Sequence, residues 1–577
     1  MNDKRYKDEL HEFRFITDLK DMVDTSAQLF SEKDAYLIKK EKGGPYVPVK
    51  YKQVKKDIDH LGTALLDLGL KGKKISVIGE NSYSWILSYL SVTNGAGVVV
   101  PLDRELPEKE VANLMDRAEV SAIFYSKKME KKVEAACELL EKPLQYKICM
   151  EEAEDQDVLS LPQLLEKGKS LLEDGNREYV DATIDREALC SLLFTSGTTG
   201  LAKGVMLSHK NITANVYNMS KYVGIPPMDK GLSVLPMHHT YELTCHIFTG
   251  FYQGMTIAIC EGLKYITKNM AEAPAGVMLG VPLIFESMYK RIVKQAQAAG
   301  SYGKMKKMMA VSKALKLYNR PEIVGRIFKD VHKAFGGHMH LFIAGGAAID
   351  PTVIENFQAL GIPMIQGYGM TECAPIIAVN KVRYSKAASV GLPMPGTEIK
   401  IIDKDKNGVG EIICKSDSVM MGYYNNPEET AEVLQDGWLH TGDYGYFDKE
   451  GFLYVCGRKK SVIVTKNGKN IFPEEVEFYL SQSPYIAENL VHGIVDEKTG
   501  DTVVKAEVYL DMEAVRADAG DNIHGKDLAA FIKKEIDRIN EQMPSYKRVK
   551  RFGIRDREFE KTTTRKIKRF SKENTGE

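Results

Sequence analysis

Residues 194–203 read Phe194-Thr-Ser-Gly-Thr-Thr-Gly-Leu-Ala-Lys203 and connect two short apolar runs, residues 188–194 and 204–208. The length and composition of these runs are typical of buried strands. Between them, glycines let the backbone turn tightly and approach a ligand closely. Backbone N–H groups, several hydroxyls and the ammonium group of Lys203 would then face one place, which suits phosphate oxygens. The stretch therefore predicts a phosphate-binding loop, followed by a helix for which Ser208 is a plausible N-cap.

The composition of this loop leaves a simpler alternative open. A cluster of Gly, Ser and Thr between two strands is often a plain hairpin turn. The stretch also differs from a Walker A loop, in which the lysine directly follows the second glycine, because Lys203 stands three residues after Gly200. Other parts of the chain are needed to decide between a turn and a phosphate site.

The length and composition of the chain indicate a multidomain, reduced, cytosolic protein. Its 577 residues exceed one ordinary core, so we expect two or more domains. The 79 basic and 79 acidic side chains balance, so no global field attracts nucleic acid or an anionic membrane. Eight cysteines without a CxxC pair predict neither a zinc site nor a disulfide framework. We expect no signal peptide and no membrane span, although peripheral membrane contact stays open.

Helical and strand patterns alternate in the first part of the chain. This alternation predicts an α/β fold, with a doubly wound, mostly parallel sheet and right-handed crossovers. Residues 151–185 are acidic and polar, and we predict a surface excursion there. The predicted helices cover residues 51–70, 82–92 and 108–118, and the predicted strands cover residues 74–79, 97–101 and 121–125.

Two adjacent histidines, His238 and His239, follow the predicted strand at residues 232–235, which Pro236 ends. Open α/β sheets bind ligands at the carboxyl ends of their strands, so this pair is a candidate site. Adjacent histidines do not easily chelate one metal, and no third ligand is obvious. Ordinary packing of the two rings is the simpler alternative.

Residues 340–372 predict one βαβ unit with two short glycine-containing loops at adjacent strand ends. The intervening helix has Asp350 as its N-cap, Pro351 in its first turn and Gly361 after its last turn. The first loop would leave a flat slot, and the second offers the ring of Tyr368 and the carboxylate of Glu372. A glycine-rich turn with a surface glutamate explains each piece alone, but not all of them together.

The chain changes character after residue 390. Turn signals between short strands predict a small antiparallel β region, about residues 391–457, which we interpret as a β-barrel-like part of the first domain. It carries Asp443, which on its own is typical of a cap or turn. We place the domain boundary between residues 1–457 and 458–577 and predict a small α+β domain after it.

Two basic segments are compatible, by charge alone, with binding to nucleic acid or to an acidic lipid surface. One is residues 291–335, a helical stretch rich in Met and Ala, for which a solvated helix face is the commoner explanation. The other is Phe559-Glu-Lys-Thr-Thr-Thr-Arg-Lys-Ile-Lys-Arg569 near the C-terminus.

Taken in order, these strings resemble the motifs of the adenylate-forming superfamily, which includes acyl-CoA synthetases, luciferases and the adenylation domains of peptide synthetases. The resemblance spans roughly the whole chain. The step Val281-Pro-Leu-Ile-Phe-Glu286 and the helical stretch after it are most similar to the long-chain fatty acyl-CoA synthetases. Three positions depart from the usual motifs, because Ala202 and Glu560 replace prolines and Arg565 replaces a glycine.

The resemblance implies a catalytic site. Lys566 would be the C-terminal catalytic lysine, His239 would line the acyl pocket, and Thr195 and Glu372 would hold Mg²⁺ against the phosphates. The stretch from Thr195 to Lys203 would bind the β- and γ-phosphates. The full set of implied nucleotide- and CoA-site residues is Ser196, Gly197, Thr198, Thr199, Gly200, Lys203, Gly345, Gly346, Ala347, Gln366, Gly367, Tyr368, Gly369, Thr371, Asp443, Arg458, Lys460 and Gly468.

Within that set, Asp443 and Arg458 would contact the ribose, Gly468 would lie near the thiol channel, and Lys460 would be the hinge of a C-terminal lid. The implied reaction activates a fatty acid, long-chain by the resemblance, with ATP to acyl-AMP and pyrophosphate, and then transfers the acyl group to coenzyme A.

Two alternatives remain. The acceptor could be a separate acyl carrier protein, since no carrier domain is recognisable in the chain. A basic-tail binding protein with a regulatory nucleotide pocket is the other. The sequence does not give the oligomeric state.

Overall fold

The computed structural model describes residues 10–152, 158–195, 202–223, 225, 229–317, 320–465, 470–496, 501–561, 567–569 and 571–575. The chain divides into two compact units. The first comprises Met1–Glu398 and Cys414–Leu439, and the second comprises Ile399–Ile413 and His440–Glu577. None of the described helices is long and apolar enough to cross a membrane.

The first part of the chain alternates helices and strands as the sequence predicts. In the helix at residues 51–67, Val54, Ile58, Leu61 and Leu65 are buried at spacings of three and four residues, which is one helix face. The strands are β1 (Asp34–Lys39), β2 (Tyr46–Lys50), β3 (Lys73–Ile78), β4 (Gly97–Pro101), β5 (Ala122–Tyr125), β6 (Tyr146–Cys149), β7 (Leu159–Ser160) and β8 (Leu189–Thr195). The helices are α1 (Leu19–Leu29), α2 (Tyr51–Asp67), α3 (Tyr83–Ser91), α4 (Glu108–Arg117), α5 (Glu130–Cys137) and α6 (Leu161–Glu173).

The middle of the chain continues this alternation. The predicted βαβ unit is confirmed, since Asp350 accepts a hydrogen bond from the Thr352 N–H at 2.7 Å and Gly361 follows the helix with a positive φ. The strands are β9 (Lys203–Ser208), β10 (Lys230–Ser233), β11 (Thr256–Ile259), β12 (Val277–Gly280), β13 (Leu341–Ala344), β14 (Met364–Gly369) and β15 (Ile376–Val379). The helices are α7 (His209–Val223), α8 (Thr240–Glu242), α9 (Thr249–Gln253), α10 (Ile266–Glu272), α11 (Pro282–Ala298), α12 (Tyr302–Ala314), α13 (Pro321–Ile327), α14 (Lys329–Ala334) and α15 (Pro351–Ala359).

The predicted β region follows, and the division between the two units falls inside three of its strands. Four strands have the sheet order β17-β18-β21-β20, and β22 pairs with β21. The strands are β16 (Leu392–Pro393), β17 (Glu398–Ile402), β18 (Gly410–Lys415), β19 (Gly422–Tyr423), β20 (Leu434–Gln435), β21 (Trp438–Phe447) and β22 (Leu453–Arg458), and the one helix among them is α16 (Pro427–Val433).

The last part of the chain is α+β, as predicted. The central strand of its three-stranded sheet pairs antiparallel with one neighbour and parallel with the other. Its core includes Val476, Val491, Val508, Ile532 and Ile536. The strands are β23 (Ile463–Val464), β24 (Asn470–Ile471), β25 (Ile486–Val495), β26 (Thr502–Leu510) and β27 (Val549–Arg555), and the helices are α17 (Pro473–Ser481), α18 (Met512–Ala519), α19 (Gly525–Asn540) and α20 (Lys572–Thr575).

Two large sheets form the framework of the first unit. One has eight strands in the order β19-β9-β8-β4-β3-β5-β6-β7, and the other has nine in the order β16-β15-β14-β13-β12-β10-β11-β1-β2. Most neighbours are parallel, for example β3 with β4 and β5, and β13 with β12 and β14. Antiparallel strands lie toward the ends of each sheet. The prediction of mostly parallel sheets is confirmed.

The prediction of a surface excursion at residues 151–185 is wrong for its central part. Residues 161–173 form α6, whose first turn has a capping box between Ser160 and Gln163. This helix packs on α2, and Gly168 lies so close that an added Cβ would be 1.7 Å from the His60 carbonyl oxygen. The acidic composition of residues 151–185 gave no indication that a helix in this segment has a narrow buried face.

This close approach predicts that Gly168→Ala destabilises the first unit. The added methyl group would meet backbone that cannot rotate away, so we expect a loss of about 1–3 kcal/mol. Gly303→Ala is the matched control, because Gly303 is also helical and nothing lies within 4 Å of its added Cβ. Thermal unfolding should show a lower midpoint for Gly168→Ala only. Equal midpoints for the two variants would contradict this packing.

The first residue of α7 makes stability depend on pH. His209 is buried, its Nδ1 accepts from the Leu19 N–H at 3.3 Å, and burial lowers the pKa of His209 to about 4. Unfolded histidine titrates near pH 6.5. Between those two values the unfolded state binds the extra proton, so stability falls as pH falls from about 6.5 to 4.

We expect His209→Asn to reduce this pH dependence, because asparagine keeps an acceptor but does not titrate. The loss attributable to His209 should approach about 3 kcal/mol at the acid end of that range. Unfolding midpoints measured across it should fall less steeply for the variant. Parallel profiles for the variant and the unmodified protein would show that His209 does not contribute.

Candidate active site

The predicted phosphate loop closes an antiparallel hairpin. In its ladder, Thr195 on β8 is directly opposite Lys203 on β9. Both residues therefore stand at the base of the loop. The hairpin itself agrees with either alternative from the sequence, so the surroundings of Lys203 are what distinguish them. Five predicted loop residues lie outside the described part of the chain: Ser196, Gly197, Thr198, Thr199 and Gly200.

The Lys203 side chain is largely buried and is surrounded by groups distant in the sequence. Its ammonium group forms an ion pair with Glu429 and lies 5.1 Å from the centre of the Tyr423 ring. Tyr423 belongs to β19, which pairs antiparallel with β9. The hydroxyl of Tyr423 donates to Glu372 Oε1 at 2.9 Å. Tyr423 thus links the base of the predicted phosphate loop to the predicted metal-binding carboxylate.

Backbone and side-chain hydrogen bonds fix the turn that carries Glu372. The Met420 N–H donates to the Glu372 carbonyl oxygen at 2.9 Å. The buried amide of Asn215, on α7, donates to the carbonyl oxygens of Cys373 and Ile376 at 3.3 and 3.0 Å. Because α7 directly follows β9, the segment after the phosphate loop also fixes the backbone beside Glu372. Thr371 begins this same turn.

A single carboxylate beside a phosphate loop fits Mg²⁺. This ion is usually bound by one or two carboxylates together with substrate phosphates and waters, rather than by a cage of protein ligands. No group of three or more His, Cys, Asp or Glu side chains suited to a metal occurs among the described residues. Glu372, with Thr195, would therefore hold Mg²⁺ only together with phosphate oxygens.

The two predicted glycine loops lie side by side. The first follows β13, but the prediction that a loop starts at Gly367 is wrong, because Gly367, Tyr368 and Gly369 continue β14 and pair with β15. The strands β13 and β14 are parallel, with Ala344 opposite Gln366. Gly345 packs against the Tyr241 ring, since an added Cβ would lie 2.7 Å from its Cζ, and the Tyr241 hydroxyl donates to the Ile343 carbonyl oxygen at 2.9 Å.

The exposure of these loops suits a ligand-binding surface. Gly346, which has a positive φ, and Ala347 are exposed, whereas Gly367 and Tyr368 are half-buried. Gly369 leaves no room for a side chain, because an added Cβ would lie 2.1 Å from the Pro375 carbonyl oxygen.

Gln366 supports a neighbouring loop. It is buried, and its Nε2 donates to the Ala387 carbonyl oxygen at 2.6 Å. Its own carbonyl oxygen accepts from the Asn380 N–H at 3.0 Å. Gln366 therefore braces residues 380–389 behind the second glycine loop, a structural function that the motif does not reveal.

His239 follows β10, a strand of the same nine-stranded sheet. Asn81 holds the turn before it, donating to the Leu235 carbonyl oxygen at 2.6 Å and accepting from the Met237 N–H at 3.1 Å. The rings of His238 and His239 are 4.1 Å apart, and both side chains are half-buried. The loops after β10, β13 and β14 occupy the same edge of the sheet, where the sequence places them.

A small apolar cavity of about 20 Å³ adjoins this edge. Its wall includes Ala344, at the end of β13, and Gly367, within β14. Tyr241 and Cys245 also line it. Glu242 and His246, the next residues along the chain, form a buried pair at 2.9 Å. The remaining lining residues are Met219, Val223, Leu279, Ile343, Ile376 and Val379.

The second unit brings two predicted ribose-binding residues together. Asp443 and Arg458 are opposite each other on β21 and β22, and Arg458 Nε lies 2.9 Å from Asp443 Oδ1. Asp443 is buried, whereas the Arg458 side chain is half-exposed. Lys460 lies in the turn that follows, where its neighbour Lys459 pairs with Glu411 at 2.6 Å. Gly468 lies outside the described residues.

The predicted catalytic Lys566 also lies outside the described residues, but the base of its segment is described. Lys561 and Ile567 form an antiparallel bridge. Glu560, which replaces a proline of the family motif, binds the ammonium group of Lys568 and accepts from the Ser571 hydroxyl at 2.7 Å. These hydrogen bonds lower the pKa of Glu560. The departure from the motif therefore supplies an alternative anchor for this segment.

The sequence profile of the AMP-binding enzyme family matches residues 23–424, which hold both glycine loops, the hairpin and Glu372. The chain belongs to this AMP-binding family.

Named relatives of this AMP-binding enzyme include two ligases. The long-chain-fatty-acid–CoA ligase of Escherichia coli is 32% identical over 349 residues, 58% of this chain and 55% of that ligase. Human long-chain-fatty-acid–CoA ligase 1 is 29% identical over 501 residues, 78% of this chain and 68% of that ligase. The chain thus spans little more than half the length of the bacterial ligase.

Among solved structures, an anthranilate CoA ligase in complex with anthranoyl-AMP aligns with a TM-score of 0.75 at 20% identity, covering 96% of each chain. At this identity the likeness shows the fold, and it confirms the predicted fold class.

The link through Tyr423 predicts that Tyr423→Phe weakens Mg²⁺-dependent nucleotide binding. Loss of a hydrogen bond to a charged group removes about 1.5–3 kcal/mol, so we expect at least a tenfold rise in the dissociation constant for ATP with Mg²⁺. Isothermal titration calorimetry measures this change. Tyr424→Phe is the matched control, because the adjacent hydroxyl donates to Glu119 at 3.0 Å instead. Equal effects of the two substitutions would contradict a specific function of Tyr423.

Proposed function

We propose that this AMP-binding enzyme activates a long-chain fatty acid with ATP and transfers the acyl group to coenzyme A. The observation that carries the proposal is the position of the apolar cavity. It adjoins Ala344, the last residue of β13, and Gly367, the first glycine of the segment that leads to Glu372. An acid whose tail enters the cavity would have its carboxylate at the edge where nucleotide is expected.

The chemistry explains why these groups are needed together. A carboxylate is a poor electrophile, and transfer to the α-phosphate of ATP gives it AMP as a good leaving group. Such phosphoryl transfer depends on positioning and charge stabilisation more than on proton transfer. Mg²⁺, held at Glu372, would neutralise phosphate charge when bound.

The chain's own residues have complementary functions in this proposal. Lys203 lies at the loop base, where its charge would stabilise the β- and γ-phosphates, and Glu429 holds its ammonium group until they bind. Tyr423 orients Glu372. Lys566 would bridge the α-phosphate and the attacking carboxylate, and His239 would border the acid.

The apolar lining of the cavity supports an apolar acid as substrate. The proposal that its acyl chain is long rests on the names of the relatives. Each buried CH₂ contributes about 0.8 kcal/mol, so a lined tunnel would favour long chains strongly. A volume of about 20 Å³ holds roughly one water-sized sphere. A long chain therefore requires side chains such as Met219 to move aside, and methionine is well suited to such rearrangement.

The second half-reaction needs a thiol and a change of geometry. We propose Lys460 as the hinge at which residues 458–577 turn relative to residues 1–457, withdrawing Lys566 and admitting the thiol of coenzyme A near Gly468. Movement of a domain between two half-reactions is a common gate. Transfer to an acyl carrier protein would use the same first step. The two acceptors are distinguished experimentally by supplying either coenzyme A or the carrier protein as the thiol.

The ion pairs of the tail do not favour the alternative of a basic nucleic-acid-binding arm. Among its described residues, Lys561 pairs with Glu488, Lys568 with Glu560, and Arg569 with Glu477. Carboxylates of the same unit thus already neutralise these cations. We therefore assign the tail to the enzyme's own structure.

The proposal predicts pyrophosphate release from ATP and Mg²⁺ with acids from acetate to palmitate, highest for long chains and multiple-turnover only with coenzyme A. Lys203→Met should reduce the rate at least a hundredfold, because a cation at the transferring phosphates is lost. Lys210→Met is the control, since Lys210 pairs with Glu187 and Asp417 outside the site.

Each other outcome has a defined meaning. Release that stays stoichiometric with coenzyme A but turns over with an acyl carrier protein would replace the acceptor. A preference for short or aromatic acids would replace the substrate. No release with any acid would overturn the proposed reaction.

A further inference from the structure

The helices between β12 and β13 concentrate positive charge. Residues 282–334, which contain α11 to α14, include twelve Lys and Arg but three Asp and Glu, in a chain with 79 of each. All twelve basic side chains are exposed. They are Lys290, Arg291, Lys294, Lys304, Lys306, Lys307, Lys313, Lys316, Arg320, Arg326, Lys329 and Lys333. We call the exposed side chains of this segment the basic helical surface.

The charges of this surface are largely uncompensated. Lys313 pairs with Glu355 at 3.2 Å. Within the described part of the chain, the other eleven cations form no ion pair. Elsewhere in the molecule, exposed lysines such as Lys50, Lys52 and Lys533 do pair with carboxylates. An unpaired cluster of this size creates a local positive potential although the chain as a whole is neutral.

Aliphatic side chains are exposed among these cations. Val311 and Leu315 are 52% and 65% exposed and are four residues apart at the end of α12. Ile323 and Ile327 are 41% and 40% exposed and have the same spacing in α13. Side chains four residues apart lie on one helix face, so each pair forms a small apolar ridge.

Charge and apolar surface coincide on α12. Its buried face is formed by Met305, Met309 and Ser312. Lys304 and Lys307 precede Val311 and Leu315 by helical spacings, which puts all four on one exposed face. Exposed aliphatic groups flanked by lysines are unfavourable in water. At a lipid interface, the aliphatic groups enter the acyl region while the ammonium groups reach the headgroups.

We propose that the basic helical surface binds the surface of an anionic lipid bilayer. Charge complementarity identifies the headgroups as anionic, and the two aliphatic ridges favour a bilayer over a nucleic acid. Protein grooves that bind single-stranded nucleic acid combine cations with aromatic side chains that stack on the bases, and aliphatic side chains cannot stack in this way. The surface lies on helices outside the proposed catalytic residues, so it stands independently of the proposed reaction.

The test is co-sedimentation of the full chain with vesicles of phosphatidylcholine alone or mixed with phosphatidylglycerol. We expect binding to the anionic vesicles only, weakened by salt. Each lysine near an anionic surface strengthens binding about fivefold. The variant K304Q/K306Q/K307Q should therefore lose at least tenfold in partition coefficient.

The matched control is K526Q/K533Q/K534Q, which removes three exposed lysines from α19 and changes the net charge equally. It should bind like the unmodified protein. A second variant, V311S/L315S, should lose binding mainly at high salt, where the apolar contribution remains. Circular dichroism melting of all variants, together with pyrophosphate release using a water-soluble acid, separates failed folding from lost binding.

Three results would overturn the proposal. They are equal binding to neutral and anionic vesicles, equal loss in the α12 and α19 variants, and binding that depends on α12 to an RNA duplex or an acidic protein but not to vesicles. None of them bears on the proposed reaction, which is tested without lipid.

Discussion

The parallel pairing of β13 with β14 is the constraint on which the candidate active site depends. With Ala344 opposite Gln366, β13 ends beside the point where β14 continues into Gly367, Tyr368 and Gly369, so the two glycine-containing segments lie side by side. Ala344 at the end of β13 and Gly367 within β14 both border the apolar cavity. A shift in this register would separate the slot, the Tyr368 ring and the Glu372 carboxylate from one another, and also from the cavity.

A second sheet reaches this site through side chains rather than through its own loops alone. The hairpin of β8 and β9 contributes Thr195 and Lys203, and β19 lies beside β9 and contributes Tyr423. The hydrogen bond from Tyr423 to Glu372 joins the two sheets at the point where phosphate and metal charge would meet. Asn215 adds a buried connection just beneath.

Local patterns in the sequence predicted the framework well, because turns, caps and strand lengths are determined by neighbouring residues. Asp350 and Gly361 delimit α15 as expected. The sequence analysis missed Tyr423, Glu429 and Asn215. Their contacts join residues that are about 50 to 230 positions apart in the chain, and local sequence patterns contain no information about such distant contacts. The helix α6 was missed because the residues on either side of it are strongly acidic, although its own two glutamates and two lysines balance, and Gly168 marks its close packing.

Tyr241 makes one side of the cavity harder to alter by substitution than the other sides. Its ring fills the space beside Gly345, its hydroxyl is bonded to the Ile343 carbonyl oxygen, and it also forms part of the cavity wall. Replacing it would alter the nucleotide slot and the acid pocket at once. Met219, Val223 and Leu279 border the pocket, but the three atoms nearest to a Cβ added at Gly345 all belong to Tyr241. Under the proposed function, new acid preferences would arise from substitutions along that wall, while Tyr241 would stay unchanged because every acid shares the same nucleotide.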